Sequence, residues 1–391
     1  MPVTISNGAV QAAIVGIGET EFTKESGVSD LRLSLEATKA ALADAKFNAH
    51  DIDGIIIPTV VGATTEDLTT NLGIENLRYH AAVVLGGAGP AAALIHAKTA
   101  IENGLASRIL VCYGFNGRSG ARLGRRGPTL MFGEAPSMRR NYEGVHGLLV
   151  PAQYYAMWAQ RYMYENGWKS TEPMAHVAVI QSRHAVMNGN AVGAKEISVE
   201  DHQSSRMISA PFRLYDCSRE TDGGAAYIVG AAEPGDRNAV AIRGAAEGHP
   251  GQADQPTTRR RFLHTGMAEA AERAFAQAGW KPSDVDFAEL YDAFTFNVLW
   301  QLELLGLCGP GEAAEFVMAG STQVGGSLPV NTHGGLLSQA HLWGINHITE
   351  AVKQLRGIAG EAQVKGAKRG LVTGSGDFGD NAVVLLEGGL E

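Results

Sequence analysis

Short apolar runs alternate with amphipathic stretches along the chain. Residues Ala12–Ile17 form a small, apolar run that predicts a buried strand, and apolar residues then recur at helical spacing from Asp30 to Ala45. The segment Asp53–Ile57 predicts a second strand, Gly89–Asn103 a helix of small residues, and Arg108–Tyr113 a third strand. The pattern restarts with the strand Ala239–Arg243. Helices are predicted for Phe262–Ala278, Phe296–Leu305 and His341–Leu355, and strands for Val285–Leu290, Gly370–Thr373 and Ala382–Leu386. Alternation of this kind predicts an α/β protein with parallel-rich sheets covered by helices.

The restart is an internal repeat. Glu36–Phe47 resembles Glu269–Trp280, and at the same offset Asp51-Ile52-Asp53 falls on Asp284-Val285-Asp286, each leading into a strand. One copy in each half predicts two similar αβ units related by a pseudo-twofold axis, not a solenoid. The boundary is placed between 1–238 and 239–391. The stretch from Phe115 to about Ser170 has no counterpart in the second half and reads as an insertion that caps the site.

Composition narrows the function. With 391 residues, 45% hydrophobic and 19% charged, the chain can form two core-sized units and is not disordered. A net charge of −9 and pI near 5.8 argue against nucleic acid or an anionic membrane as the partner. No apolar run reaches the roughly 18 residues of a membrane span. The N-terminus lacks the basic and apolar regions of a signal peptide, so a cytoplasmic location is expected. Cys112, Cys217 and Cys308 are isolated and form neither a metal motif nor a disulfide framework. No His/Asp/Glu spacing predicts a metal site, and Gly16-Ile17-Gly18 lacks the full dinucleotide fingerprint.

Candidate chemistry concentrates in Asn331–Gly344, a polar, glycine-rich stretch that carries His333 and His341. The segment Leu85–Pro90 also opens a helix, but it offers no side chain able to act as a nucleophile. Tyr291-Asp292 ends a predicted strand.

With these loops the chain resembles the thiolase superfamily over essentially its whole length, in the branch of the sterol-carrier-protein thiolases. Leu290–Phe294 stands where thiolases have Asn-Glu-Ala-Phe or His-Asp-Cys-Phe. Asn331–Gly344 matches the glycine pair and Gly-His-Pro motif, which puts His341 on the catalytic histidine, and Asp222–Ala226 matches a structural Asp-Gly-Ala-Ala turn. The resemblance implies a duplicated, layered αβαβα fold with pseudo-twofold halves.

The departures matter more. The position of the acyl-accepting cysteine maps to Gly86 or a neighbour, the second cysteine should fall within Thr373–Gly376, and the proline after the histidine is Leu342. Thiolytic cleavage needs a nucleophile to hold the acyl fragment. A retro-aldol cleavage does not: it needs a proton acceptor at a β-hydroxyl and donors at the thioester oxygen. The chain is most similar to the steroid side-chain aldolases of this branch, where a tyrosine in this motif is implied as the base. Tyr291 therefore carries the base role, which its ordinary pKa near 10 allows only with a depressed value or a relay. His341, Asn331, Gly376 and the N–H groups of Gly86 and Gly87 are the oxyanion or substrate contacts, with His333 orienting substrate.

Each residue also has a structural reading. Asp292 joins the catalytic set by positioning Tyr291; in the structural readings Tyr291 could be a core tyrosine, His341 a helix-start residue, His333 a loop-satisfying side chain and Asp292 a cap on the Thr295 helix. His347 reads as structural, and His80 and His96 as background. Arginines 118, 122, 125, 126, 139 and 140 decorate the insertion, and 259–261 open the second-half helix. Of these Arg125, Arg126 and Arg259 are the candidates for coenzyme A phosphates. The resemblance further implies a homodimer and a small OB-fold, zinc-ribbon partner, with coenzyme A entering only as part of the substrate. Two other classes stay open: an acyltransferase or condensing subunit with a borrowed nucleophile, and a non-catalytic acyl-CoA-binding scaffold.

Overall fold

The computed structural model describes residues 10–59, 62–120, 122, 139–233, 235–251, 256–376 and 378–389. In the first half, β1 (Ala12–Glu19), α1 (Asp30–Ala45), β2 (Gly54–Ile57), α2 (Thr65–Leu72), β3 (Tyr79–Ala82), α3 (Gly89–Glu102) and β4 (Arg108–Asn116) follow in order. Helices α4 (Pro151–Glu165), α5 (Glu172–Asn188) and α6 (Val199–Ser204) come next, then the short pair β5 (Met207–Ser209) and β6 (Phe212–Arg213), and β7 (Asp222–Ala231). The second half holds β8 (Val240–Gly248), α7 (Met267–Ala278), β9 (Phe287–Glu289), α8 (Thr295–Leu304), α9 (Ala313–Met318), α10 (Gly335–Ser338), α11 (Ile345–Arg356), β10 (Arg369–Gly376) and β11 (Asp380–Glu387).

The main sheet runs β3-β2-β4-β7-β1-β8-β11-β10-β9. Outward from the central β1–β8 junction, each half repeats one scheme. Two antiparallel pairings come first (β1–β7 and β7–β4; β8–β11 and β11–β10), followed by a parallel one (β4–β2; β10–β9). The sheet is therefore mixed, against the parallel-rich expectation. A short connection joins β10 to β11 and obliges them to run antiparallel. Helices α3 and α11 lie between the half-sheets and touch strands of both. Helix α1 covers the outer face of the first half and α7 that of the second, which completes the expected αβαβα layers.

The repeated aspartates explain the duplication at atomic level. Asp53 accepts from the N–H groups of Ser107 and Arg108 at 2.8 and 2.9 Å, anchoring the start of β4. Asp286 accepts from Lys368 and Arg369 at 2.8 Å, anchoring β10 in the same way. Their partners Asp51 and Asp284 each accept at 2.8 Å from a backbone N–H three residues upstream, at Asn48 and Lys281. Glycines let the helices sit close: a methyl group on Gly18 would meet the Ala37 carbonyl at 2.3 Å. Gly16-Ile17-Gly18 is thus a helix-packing surface of β1.

Several boundaries move for local reasons. Helix α7 begins at Met267, not Phe262, because Gly248 and Gly266 pack backbone against backbone just before it. Helix α11 begins at Ile345, not His341, because Trp343 and Gly344 both have left-handed φ, 55° and 86°, and break the helical path. The strand expected over Val285–Leu290 is only Phe287–Glu289, which frees Leu290–Phe294 as a strand-end loop. Asp222–Ala226 opens β7 instead of forming a turn, and Asp222 accepts from Ser26, Arg118 and Ser119.

Truncating either anchoring aspartate strands two backbone donors. Asp53→Ala and Asp286→Ala should each lower unfolding free energy by about 1–3 kcal/mol. Urea denaturation of the two variants, with equal losses for the two halves, checks this.

Candidate active site

Loops meet at the C-terminal ends of β9 and β10. Leu290 is clamped by Asn331, whose Oδ1 accepts from Leu290 N at 2.6 Å while its Nδ2 donates to Leu290 O at 2.9 Å. Asn331 reaches this position with φ of 51° and no exposed surface. Tyr291 is fixed next: its N–H donates to Thr373 Oγ1 at 2.9 Å, and its carbonyl accepts from Gln301 Nε2 at 2.6 Å. Thr373 in turn donates to Gln301 Oε1 at 2.6 Å, so the two groups holding the Tyr291 backbone also hold each other. The His341–Gly344 loop passes over the ring, with Gly344 leaving room that a methyl group would reduce to 3.2 Å from the ring edge.

The phenol of Tyr291 lies on Gly87. A methyl group built there would stand 2.1 Å from the hydroxyl oxygen and 2.5 Å from the Ser375 carbonyl. Gly376 closes the same cluster, its missing side chain being replaced by the Leu85 carbonyl at 1.9 Å. The structure thus brings together Tyr291, Gly86, Gly87 and Gly376, with the Gly86–Ala88 turn leading into the N-terminus of α3. The tyrosine hydroxyl and a side chain at Gly87 cannot occupy this space together.

His341 keeps some exposed surface, whereas His333 and His347 have none. Its Nδ1 meets Ser218 Oγ at 2.8 Å, and its N–H donates to Thr221 Oγ1 at 3.3 Å. Burial pushes its pKa down to about 4, with the nearby Asp292 charge opposing, so the imidazole is neutral at pH 7. Asp292 caps α10 and not the Thr295 helix: it accepts from Leu336 N at 2.8 Å and Leu337 N at 3.3 Å. The Thr295 hydroxyl donates to Asp216 at 2.6 Å.

His333 lies behind this layer in a buried row. Its Nδ1 is 2.9 Å from Glu289 Oε2, its Nε2 is 3.0 Å from His347 Nδ1, and His347 Nε2 is 3.1 Å from Asp292 Oδ1. Burial drives the His333 pKa down to about 3 and that of Glu289 up to about 8. Glu289, His333 and His347 each offer a ligand atom within 4.8 Å of the others, the one such grouping found among the described residues. The inner nitrogens share a hydrogen bond, whereas Glu289 Oε2, His333 Nδ1 and His347 Nε2 are buried at short range without an aligned hydrogen bond.

None of the three thiols is poised as a nucleophile. Burial raises Cys112 to about 11, and Cys217 and Cys308 to about 12. Arg259 is buried, donating to the His264 carbonyl at 2.7 Å and to the Phe378 carbonyl, with its guanidinium over Trp158. Arg125 and Arg126 lie outside the described residues.

Comparison with known proteins accords with this geometry. Residues 248–388 match the family described as thiolase C-terminal domain-like. The chain is 41% identical over 358 residues to the steroid side-chain-cleaving aldolase of Thermomonospora curvata, covering 89% of this chain and 91% of that protein. It is 40% identical over 384 residues to the 17-hydroxy-3-oxo-4-pregnene-20-carboxyl-CoA lyase of Mycobacterium tuberculosis, covering 96% and 99%. The chain belongs to the thiolase superfamily. Within it, the solved Ltp2–ChsH2(DUF35) aldolase superposes with a TM-score of 0.88 at 36% identity, over 97% of this chain and 98% of that one.

In this thiolase-superfamily member the tyrosine ring fills the space beside Gly87. Sequence reasoning missed Ser218 and Gln301, which lie outside the motifs, and the part Thr373 plays in holding Tyr291. His347, read as structural, is buried beside His333 and Asp292.

The buried imidazoles fix a pH dependence. His333, His341 and His184, the last also lowered to about 4, bind fewer protons folded than unfolded, so each stabilises less as pH falls below about 6.5. Glu289, raised to about 8, acts oppositely: its contribution, full below the ordinary carboxyl range, is lost as pH rises towards 8. Chemical denaturation across pH should show Glu289→Gln flattening the alkaline limb and His341→Gln flattening the acid limb.

Proposed function

We propose that this chain is a retro-aldol carbon–carbon lyase acting on a β-hydroxyacyl-CoA thioester, yielding a ketone or aldehyde and a shorter acyl-CoA. The observation that carries the reading is the Tyr291 hydroxyl seated on Gly87, where a thiolase would hold its nucleophile. The relatives' names point to a steroid side chain as the acyl group.

In this reading the Tyr291 oxygen takes the β-hydroxyl proton, its own proton having left through a depressed pKa or a relay. The hydroxyl becomes a carbonyl, the bond from β- to α-carbon breaks, and its electron pair passes into the thioester as an enolate. The N–H groups of Gly86 and Gly87, at the positive end of α3, and the neutral His341 imidazole are the donors this reading assigns to that enolate oxygen. Return of that proton from the Tyr291 hydroxyl to the α-carbon completes the cycle with no net proton and no free coenzyme A. Asn331 contributes by holding Leu290, and through it Tyr291. No cofactor is needed beyond the coenzyme A carried by the substrate. The protein acts as a homodimer in the cytoplasm with a small OB-fold, zinc-ribbon partner, a reading favoured by the DUF35 component of the Ltp2–ChsH2 aldolase.

Three outcomes separate this from its rivals when β-hydroxyacyl- and β-ketoacyl-CoA thioesters are incubated with the protein and followed by mass spectrometry. Each is run with and without free coenzyme A and the partner. Cleavage of a β-hydroxyacyl-CoA without coenzyme A consumption is expected. Turnover only of β-ketoacyl-CoA, and only with added coenzyme A, would establish a thiolase with a borrowed nucleophile. Tight binding without turnover would leave a scaffold. Tyr291→Phe should lower kcat by about 10²–10⁴-fold with KM little changed.

A further inference from the structure

Behind the site, fully buried carboxyls and imidazoles run in one line. Thr332 Oγ1 lies 2.8 Å from Glu289 Oε1 and 2.8 Å from Glu350 Oε1, and also accepts from Gln354 Nε2 at 2.9 Å. A hydroxyl has one proton and can donate to only one of those carboxyls. The other short oxygen–oxygen contact requires a proton on the carboxyl, so this buried pair holds at least one. Burial raises the proton affinity of both acids. From Glu289 the line continues through His333 and His347 to Asp292 on the floor of the site.

We propose that Glu289, His333, His347 and Asp292 form a buried proton relay, which moves negative charge between Glu289 and the floor of the site. The role rests on the acid–base reading of Tyr291 and His341 given above. The Thr332 contact puts the pair's proton on an Oε1, so a half-turn of the Glu289 carboxyl first carries it round to face His333; in one passage, the O–H bond at that oxygen breaks as an N–H bond forms at His333 Nδ1. The N–H bond at His333 Nε2 breaks as one forms at His347 Nδ1, and that at His347 Nε2 breaks as an O–H bond forms at Asp292 Oδ1. Both imidazoles begin and end neutral, one carboxyl acid is exchanged for another, and no co-reactant enters. The inner contact is an aligned hydrogen bond, whereas the outer contacts are short but bent at rest. Transfer requires them to straighten, as resting catalytic contacts commonly do.

The consequence is electrostatic. His341 sits in the field of Asp292, which favours its protonated form. Neutralising Asp292 removes that support, and restoring its charge returns it, so the relay sets the proton affinity of His341 without touching substrate. His333 and His347 are positioning residues. The charged groups facing the row are Glu19 and Lys353, paired with each other, together with Glu350; His184 and Tyr291 also border the loops that carry it. The Glu19–Lys353 pair balances itself, which leaves Glu350 as the neighbour sharing the Glu289 proton.

Nitrogen-15 NMR of the full chain labelled at histidine reads the relay directly and independently of substrate. His333→Gln and His347→Gln assign the two signals. Both rings should stay neutral from pH 5 to 9, donate in the same sense, and change tautomer together in one step that Glu289→Gln abolishes. An imidazolium at neutral pH, two independent titrations, or no effect of Glu289→Gln would overturn the relay even if the enzyme turns over as proposed. A second readout is the pH–rate profile: Glu289→Gln and Thr332→Val should each lower kcat about 10-fold or more and displace its acid limb, with KM changed less than about twofold. Unchanged profiles in folded variants would overturn the coupling to His341.

Discussion

Everything in the site depends on the contact between the Tyr291 phenol and Gly87. It needs a glycine, because any side chain there would overlap the hydroxyl and the Ser375 carbonyl. It also needs a tyrosine backbone that cannot shift, and Thr373 and Gln301 supply that from two separate elements. What fills this space is a hydroxyl, beside the glycine turn that opens α3.

Burial is the second constraint. A neutral His341 and a protonated Glu289 follow from one cause, the exclusion of water from a layer where α11 meets the ends of β9 and β10. Desolvation lowers one pKa and raises the other. Polar groups in such a layer must satisfy one another, which is why Thr332, Gln354 and Glu350 form a closed set beneath the loops.

Much of this was legible in the chain. The paired Asp-x-Asp segments announced the duplication because each aspartate has the same mechanical task, tying down the first N–H groups of a strand. The absence of a nucleophile near Gly86 and the tyrosine of the strand-end motif were visible as residue identities. What was not legible came from backbone geometry and long-range contact. The helix expected from His341 starts four residues later because Trp343 and Gly344 turn left-handed, and no periodicity forecasts that. Asp292 was expected to serve its nearest helix, but it caps α10, more than forty residues further on. The mixed sheet arose from the short β10–β11 connection, which hydrophobic alternation does not report.

The most direct test is the intact mass of the protein quenched during turnover of a β-hydroxyacyl-CoA. The account predicts that ketone or aldehyde and shorter acyl-CoA accumulate while the mass of the protein stays unchanged throughout. A covalent acyl adduct that rises and decays with turnover would contradict it, because it would reveal a nucleophile where the structure places only Tyr291 and Gly87.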